Sequence, residues 1–314
     1  MYFYFYFSLI NLYLQVIVVA RNTAWELSSS DGKTVKKVEI PELKSNQEET
    51  DTRVIIYASY GATIGYGSIR VKSPDSDIFF ILLNHAFKIG GDIYFDTGAG
   101  NKKQLLNVSD ISSNFGESLC SALLGLHAFS GSDTTSAFKG IGKLKPIKLL
   151  QKYPEFETPF RKLGESWDIS ETDLKEIESF TCKLYGKVTT TNIDTLRLNL
   201  LKIKCDSQDK VDPKKSVDLA SFPPCRASLD QHLRRCNYQA AIWRKSNENF
   251  QELPPATDHG WVNCGEVMEP QWCLGEVLPG DLSELLEDSD ESGSDNDVLS
   301  DIEDNSEDSD YDFS

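Results

Sequence analysis

No two cysteines in this sequence are spaced as CxxC, and the seven present (Cys120, Cys182, Cys205, Cys225, Cys236, Cys264 and Cys273) follow no regular framework. That excludes a small disulfide-knit scaffold and leaves reduced thiols as the default, which fits a nuclear or cytoplasmic compartment. A zinc site from Cys264, Cys273 and His259 matches no common finger spacing, so small buried thiols are the plainer reading. A GxSxG elbow is also lacking, so Ser130 and Ser132 near His127 do not make a serine hydrolase. Asp96-Thr97-Gly98 occurs once, without the second copy that an aspartic-protease dyad needs. Internal repeats are absent, which excludes solenoids and propellers.

Basic residues are missing from Asp281 to Ser314, a stretch with fifteen acidic residues. This tail cannot bury enough apolar surface to offset chain entropy and reads as disordered, either purely solvating or a ligand for basic proteins such as histones. The tail accounts for −15 of the net charge of −17, so the remaining chain carries only −2. A nearly neutral folded part can still gather lysines on one face, so the overall charge does not exclude a nucleic-acid partner. With 39% hydrophobic and 26% charged residues, the 314-residue chain is neither fibrous nor wholly disordered and can bury a sizeable core.

The most hydrophobic stretch is Met1 to Ala20. A signal peptide would need a basic start and a small-residue cleavage site, and neither precedes Arg21. Two readings of residues 1–24 stay open. The stretch is long enough for a membrane anchor with Arg21, Lys33, Lys36 and Lys37 on the cytoplasmic side. Its aromatic and β-branched content suits a buried strand, above all Gln15 to Ala20.

Trp25 to Ile40 reads as a β-hairpin turning at Ser30-Asp31-Gly32. Ser45 is expected to cap a helix with an acidic first turn that runs to about Ile64. A strand at Ser68–Lys72, a helix at about Ile78–Phe87, a strand at Asp92–Asp96, a short strand near Gln104–Val108 and a long helix at Ile111–His127 follow. Alternating strands and helices imply an α/β fold with a mainly parallel sheet flanked by helices. Further helices are expected to Tyr185. Residues 186–280 are read as a linker, polar and Pro-containing over 206–224, plus a helical C-terminal region with an amphipathic helix at Leu229–Lys245. The basic residues Arg234, Arg235, Arg244 and Lys245 of that helix, with Tyr238 and Trp243, fit either nucleic-acid contact or packing with a charged outer face. His85 and His127 lie in apolar helices and read as packed or capping side chains.

Single acidic motifs here are weak: Glu49 and Asp51 suit a helix dipole, and Asp75 and Asp77 suit a helix cap. Their joint placement is more telling, because strand ends of a parallel sheet converge at the edge where α/β proteins carry their sites. Asp133, in the loop after the long helix, completes the set. Five gathered carboxylates repel one another, and a divalent cation that prefers oxygen ligands, magnesium or manganese, is the natural remedy.

The string Gln47 to Asp51 (QEETD) is similar to the GEAEA motif of flap endonucleases, Ser73 to Asp77 (SPDSD) to their xxDxD motif, and Gly125 to Lys143 (GLHAFSGSDTTSAFKGIGK) to their LLGxDY...GIGxK segment. The chain therefore resembles a PIN-like (flap-endonuclease, XPG-type) nuclease core over about residues 36–150. Over most of its length it looks like a group of multicopy invertebrate proteins, with a suggested link to mobile elements, that carry EEADTR...SPDTDV...FDTGTG...GLHAFTGCDSTSAF. The resemblance implies metal ligation and catalysis by Glu49, Asp51, Asp75, Asp77 and Asp133. It also implies a helix-turn segment, 138–152, that grips duplex nucleic acid. There Gly140 and Gly142 offer backbone amides, commonly with a bound potassium ion, and Lys139, Lys143, Lys145 and Lys148 offer phosphate contacts. The domain expected on this basis spans 25–185.

The family carries further acidic ligands on an N-terminal half. Only 47 residues precede Glu48 here, and Asp31 and Glu39 lie in the hairpin, so half the expected fold is missing. The functional readings that follow are a metal-dependent nuclease for DNA or RNA, a non-catalytic nucleic-acid or protein-binding remnant, and a membrane-tethered protein.

Overall fold

The computed structural model describes residues 3–8, 14–29, 33–186, 189–208 and 218–274. The hydrophobic N-terminus is strand: β1 (Phe3–Ser8) and β2 (Leu14–Ala20) pair antiparallel, and β3 (Thr23–Ser28) and β4 (Lys36–Glu39) extend them into a four-stranded meander. In β2 the side chains alternate, Ile17 and Val19 buried and Val16 and Val18 half-buried, as a sheet with one covered face requires. Ile17, Val19 and Ala24 pack with Ile40, Leu43, Ile56 and Tyr57 into a small core of their own. Among the described residues no helix is long and apolar enough to cross a membrane, and of the two readings left open for this stretch the strand is the one observed. β3 and β4 pair as a hairpin, whereas its Ser30-Asp31-Gly32 turn lies outside the described residues.

The next unit is α/β. Helix α1 (Thr50–Thr63) leads to β5 (Ser68–Lys72), α2 (Ser76–Ile89), β6 (Asp92–Thr97), β7 (Gln104–Asn107) and α3 (Val108–Ser130), which is kinked at Gly116. β5 and β6 are parallel, joined by the α2 crossover, but β7 runs antiparallel to β6. The sheet is thus mixed, with one parallel pair among the described residues, and not mainly parallel as expected. The cause is the short link of residues 98–103: a tight turn returns the chain antiparallel, while a parallel partner needs a long crossover. Gly98 makes that turn at φ +73°, where a Cβ would meet the Lys102 carbonyl oxygen at 2.3 Å.

Helix α1 starts four residues later than expected. Ser45 does not cap it; its Oγ accepts from the Gln47 amide, and Glu49 is the N-cap residue. Residues 45–49 are instead laced to the distant 246–251 loop. Gln47 Nε2 donates to the carbonyls of Ser246 (3.1 Å) and Glu248 (2.6 Å), and Asn46 exchanges bonds with Gln251. These buried bonds outcompete another helical turn.

The rest is helical: α4 (Leu144–Lys152), α5 (Glu157–Lys162), α6 (Glu171–Leu184), α7 (Ile193–Gln208) and α8 (Arg226–Arg244), closed by a two-stranded ribbon of β8 (Trp261–Cys264) and β9 (Val267–Pro270). The expected boundary at 185 does not separate two cores. Leu229, Leu233, Cys236, Ala240 and Trp243 of α8 belong to the same cluster as Ile81, Leu82, Ile93, Leu124 and Phe129. Helix α7 also covers the start of the expected linker. The acidic tail, 281–314, lies outside the described residues.

Packing engages Arg235 at the centre of α8 and Arg244 at its end. Arg244 donates to the carbonyls of Leu163, Arg161 and Ser121 and to Ser121 Oγ, and burial lowers its pKa to about 10. Arg235 donates to the carbonyls of Gly260 and Gln271. Such saturation suits a guanidinium removed from water.

Helix α8 passes so close to Gly164 (φ +79°) that a Cβ there would lie 2.4 Å from the Ala241 nitrogen. Gly164→Ala is expected to lose about 3 kcal/mol by chemical denaturation. Gly142→Ala, whose Cβ would meet nothing within 4 Å, should change stability by about 0.5 kcal/mol at most. Equal losses at the two sites would contradict this packing.

Candidate functional site

At the carboxyl end of β5 the chain turns through Ser73-Pro74-Asp75 into α2. The Ser73 amide donates to the Asp96 carbonyl at 3.1 Å, which holds the turn on the neighbouring strand end. Ser73 Oγ accepts from the Asp75 amide (3.0 Å), and Asp75 Oδ1 accepts from the Asp77 amide (2.9 Å) as N-cap. Asp75 therefore spends one oxygen on the cap. Asp77, in the first turn of α2, is only 6% exposed.

Asp133 reaches the same place from the loop after α3. Gly131 (φ +114°) packs against Ala137, Ser132 N donates to the Thr135 carbonyl, and Thr135 Oγ1 donates to the Ala128 carbonyl. Asp75, Asp77, Asp133 and Lys143 line one open cleft of about 440 Å³. Glu49 and Asp51 sit at the amino end of α1, within Coulombic reach of the other three. The five sequence-selected carboxylates are thus neighbours.

Their environment opposes ionisation. Asp51 is pushed up to about 7 by desolvation first, then by the charges of Asp75, Asp77, Glu49 and Asp133. Glu49 is raised by desolvation and by Asp77 and Asp133. Its surface stays open to solvent, which lessens the effect of burial beside that of the like charges. Gln239 counters this by a hydrogen bond to Glu49, and Gln239 Oε1 accepts from Thr134 Oγ1 at 2.8 Å. Asp75 is raised by desolvation and by Asp77 and Asp133, against its cap bond and Lys143.

His127 is the side chain on which Asp77 depends. Its Nε2 lies 2.7 Å from Asp77 Oδ1, and its ring stacks on Phe80 (4.1 Å between centroids) and Trp243 (5.5 Å). Lys143 Nζ lies 2.9 Å from His127 Nδ1, 3.3 Å from Nε2 and 3.4 Å from Ser76 Oγ. An ammonium only donates, so Nδ1 is the acceptor and the ring proton on Nε2 goes to Asp77. Burial lowers the His127 pKa and keeps the ring neutral.

The four lysines differ in placement: Lys143 is half-buried in the carboxylate cleft, and Lys139 pairs with Asp218 at 2.6 Å. Lys145 and Lys148 are exposed on α4, and Gly140 and Gly142 are exposed in the turn before it. That turn follows an extended loop from Gly131, and only α4 adjoins it directly, so 138–152 is a turn plus one helix. In the zinc alternative, His259 is buried against Tyr238 and Cys264 is exposed; no metal-holding group of three or more His, Cys, Asp or Glu occurs among the described residues.

That last observation also bears on the carboxylates. As placed they are close enough to perturb one another but are not drawn together into a ready chelate. The donor set fits a hard divalent cation all the same: every donor is a carboxylate oxygen, and a cationic side chain, Lys143, already stands among them. His127 and Gln239 were not selected from the sequence. His127 carried a weak signal as a lone polar residue in an apolar helix just before Asp133; Gln239 carried none.

Comparison with known protein families, curated proteins and solved structures finds no match to this chain.

Because folded Asp51 holds its proton more tightly than the unfolded chain, it adds stability below about 3.8 that is lost as pH rises through about 7. Asp51→Asn should match wild type in acid and gain relative stability, on the order of 2 kcal/mol after solvent screening, as pH rises through that window. Denaturant midpoints across the window test this; a pH-independent difference would contradict it.

Proposed function

We propose that the protein is a PIN-like, divalent-metal-dependent nuclease that hydrolyses phosphodiester bonds in DNA or RNA. The observation that carries this reading is the convergence of Glu49, Asp51, Asp75, Asp77 and Asp133 at the carboxyl end of the parallel pair β5 and β6, around one cleft. Five acids from three chain segments in mutual repulsion have no use in stability, since like charges at this density oppose folding. Asp75, Asp77 and Asp133, with Glu49 and Asp51 beside them, would hold magnesium or manganese. When bound, such an ion supplies charge stabilisation and a lowered water pKa.

The chain's own residues have distinct tasks in this reading. His127 fixes Asp77 in one rotamer, and the Thr134–Gln239 pair steadies Glu49. Asp51, whose proton is held up to about 7 while the carboxylates repel one another, would release it when a cation takes its place among them. Lys145 and Lys148 on exposed α4, with the open amides near Gly140 and Gly142, offer contacts for the phosphate backbone and a place for potassium.

A second reading, a non-catalytic nucleic-acid or protein-binding remnant, is favoured by the lack of a pre-gathered chelating group among the described residues. Purified protein with magnesium or manganese is expected to cleave flap, branched or single-stranded substrates, and Asp75→Asn with Asp77→Asn should reduce the rate about a thousandfold or more. Wild type that binds nucleic acid without cleaving any of them, or a double variant that cleaves as well as wild type, would overturn the nuclease and leave the remnant.

A further inference from the structure

Lys143 is held differently from the ion-paired cations. Lys139 has Asp218, Lys162 has Asp173 and Arg226 has Glu178 as direct ion-pair partners. Lys143 makes no ion pair within 4 Å among the described residues; its hydrogen-bond partners, His127 and Ser76, are neutral. It nonetheless lines the cleft with Asp75, Asp77 and Asp133 and lies within the field of all three. A compact cation thus stands in an acidic cleft, kept there by hydrogen bonds to neutral partners and by the field of the carboxylates.

Its attachment permits movement. Lys143 precedes α4 with no side-chain capping bond, and it follows a turn in which Gly140 (φ +74°) and Gly142 have open space around them. Its long, flexible stem can leave the cleft without breaking a salt bridge.

We propose that Lys143 is the resident counter-cation of the carboxylate site and that a divalent ion enters by displacing its ammonium group, so that this side chain sets the site's metal affinity. This rests on the reading of the carboxylates as a metal site. Two cations competing for one set of anions bind with negative coupling, and the coupling is reciprocal. The arrangement also links the two halves of the site. A nucleic-acid phosphate near the turn gives the displaced ammonium a new anion, so backbone binding and metal binding favour each other.

The experiment is a titration of the full chain with manganese, reading free Mn²⁺ by electron paramagnetic resonance, for wild type, Lys143→Met and Lys143→Arg. Lys143→Gln serves as a second neutral variant, and circular dichroism melts check folding. The same titration of Asp75→Asn with Asp77→Asn measures binding elsewhere on the acidic chain, which is subtracted. The neutral variants should bind Mn²⁺ about tenfold more tightly than wild type, with Lys143→Arg close to wild type. Single-stranded DNA should tighten Mn²⁺ binding in wild type but not in Lys143→Met. Neutral variants that bind as wild type does, or more weakly, would overturn the role of Lys143 and leave the metal site standing. No specific Mn²⁺ binding in any variant would overturn the metal site itself.

Discussion

A carboxylate buried beside an apolar core is costly unless it is paired and hydrogen-bonded, and the pairing of Asp77 with His127 meets that requirement here. The bond joins the first turn of α2 to the last turns of α3, and the stacked Trp243 brings in α8. Since α2 is the crossover between β5 and β6, the same contact fixes where the parallel strand ends face. The acidic cleft is therefore an outcome of the main core's packing. Behind Asp77 lies the aromatic stack on His127, while Glu49 and Asp133 are exposed.

Around that fixed point the fold opposes its own charge distribution by several weak means. Gln239 bonds Glu49, an amide caps Asp75, and Lys143 stands in the cleft. None neutralises Asp51, which keeps a pKa of about 7. A site maintained against such repulsion points to a functional role more readily than to architecture, because the same positions filled by amides would pack with less opposition. The 45–49 segment makes the same point: its buried bonds to residues 246–251 hold Glu49 in place at the loss of a helical turn.

Much of the α/β unit was legible in the sequence because its signals are local. The alternating Ile69 and Val71 mark β5, and Asp75 two residues ahead of Asp77 marks the start of α2 almost to the residue. The five carboxylates were legible as a set because strand ends impose their neighbourhood. What sequence did not reveal depends on distant partners. Gln239 meets Thr134 across more than a hundred residues, Ser45 loses its cap role to a loop two hundred residues on, and Lys143 sits in a cleft that only the folded chain creates. The antiparallel β7 was missed because its direction is set by one tight glycine turn, which hydrophobic periodicity does not register. The first twenty residues show the limit of hydropathy: length and apolarity equally describe an anchor and two paired strands, and only pairing with β3 separates them.

The central claim, that these carboxylates form a divalent metal site, is tested most directly by crystals of the protein grown with manganese and measured near the manganese absorption edge. The account predicts an anomalous peak in the cleft between Asp75, Asp77 and Asp133, bordered by Glu49 and Asp51, with the Lys143 ammonium moved out of its contact with His127. A cleft without an anomalous peak, and Lys143 still beside His127 at saturating manganese, would contradict it.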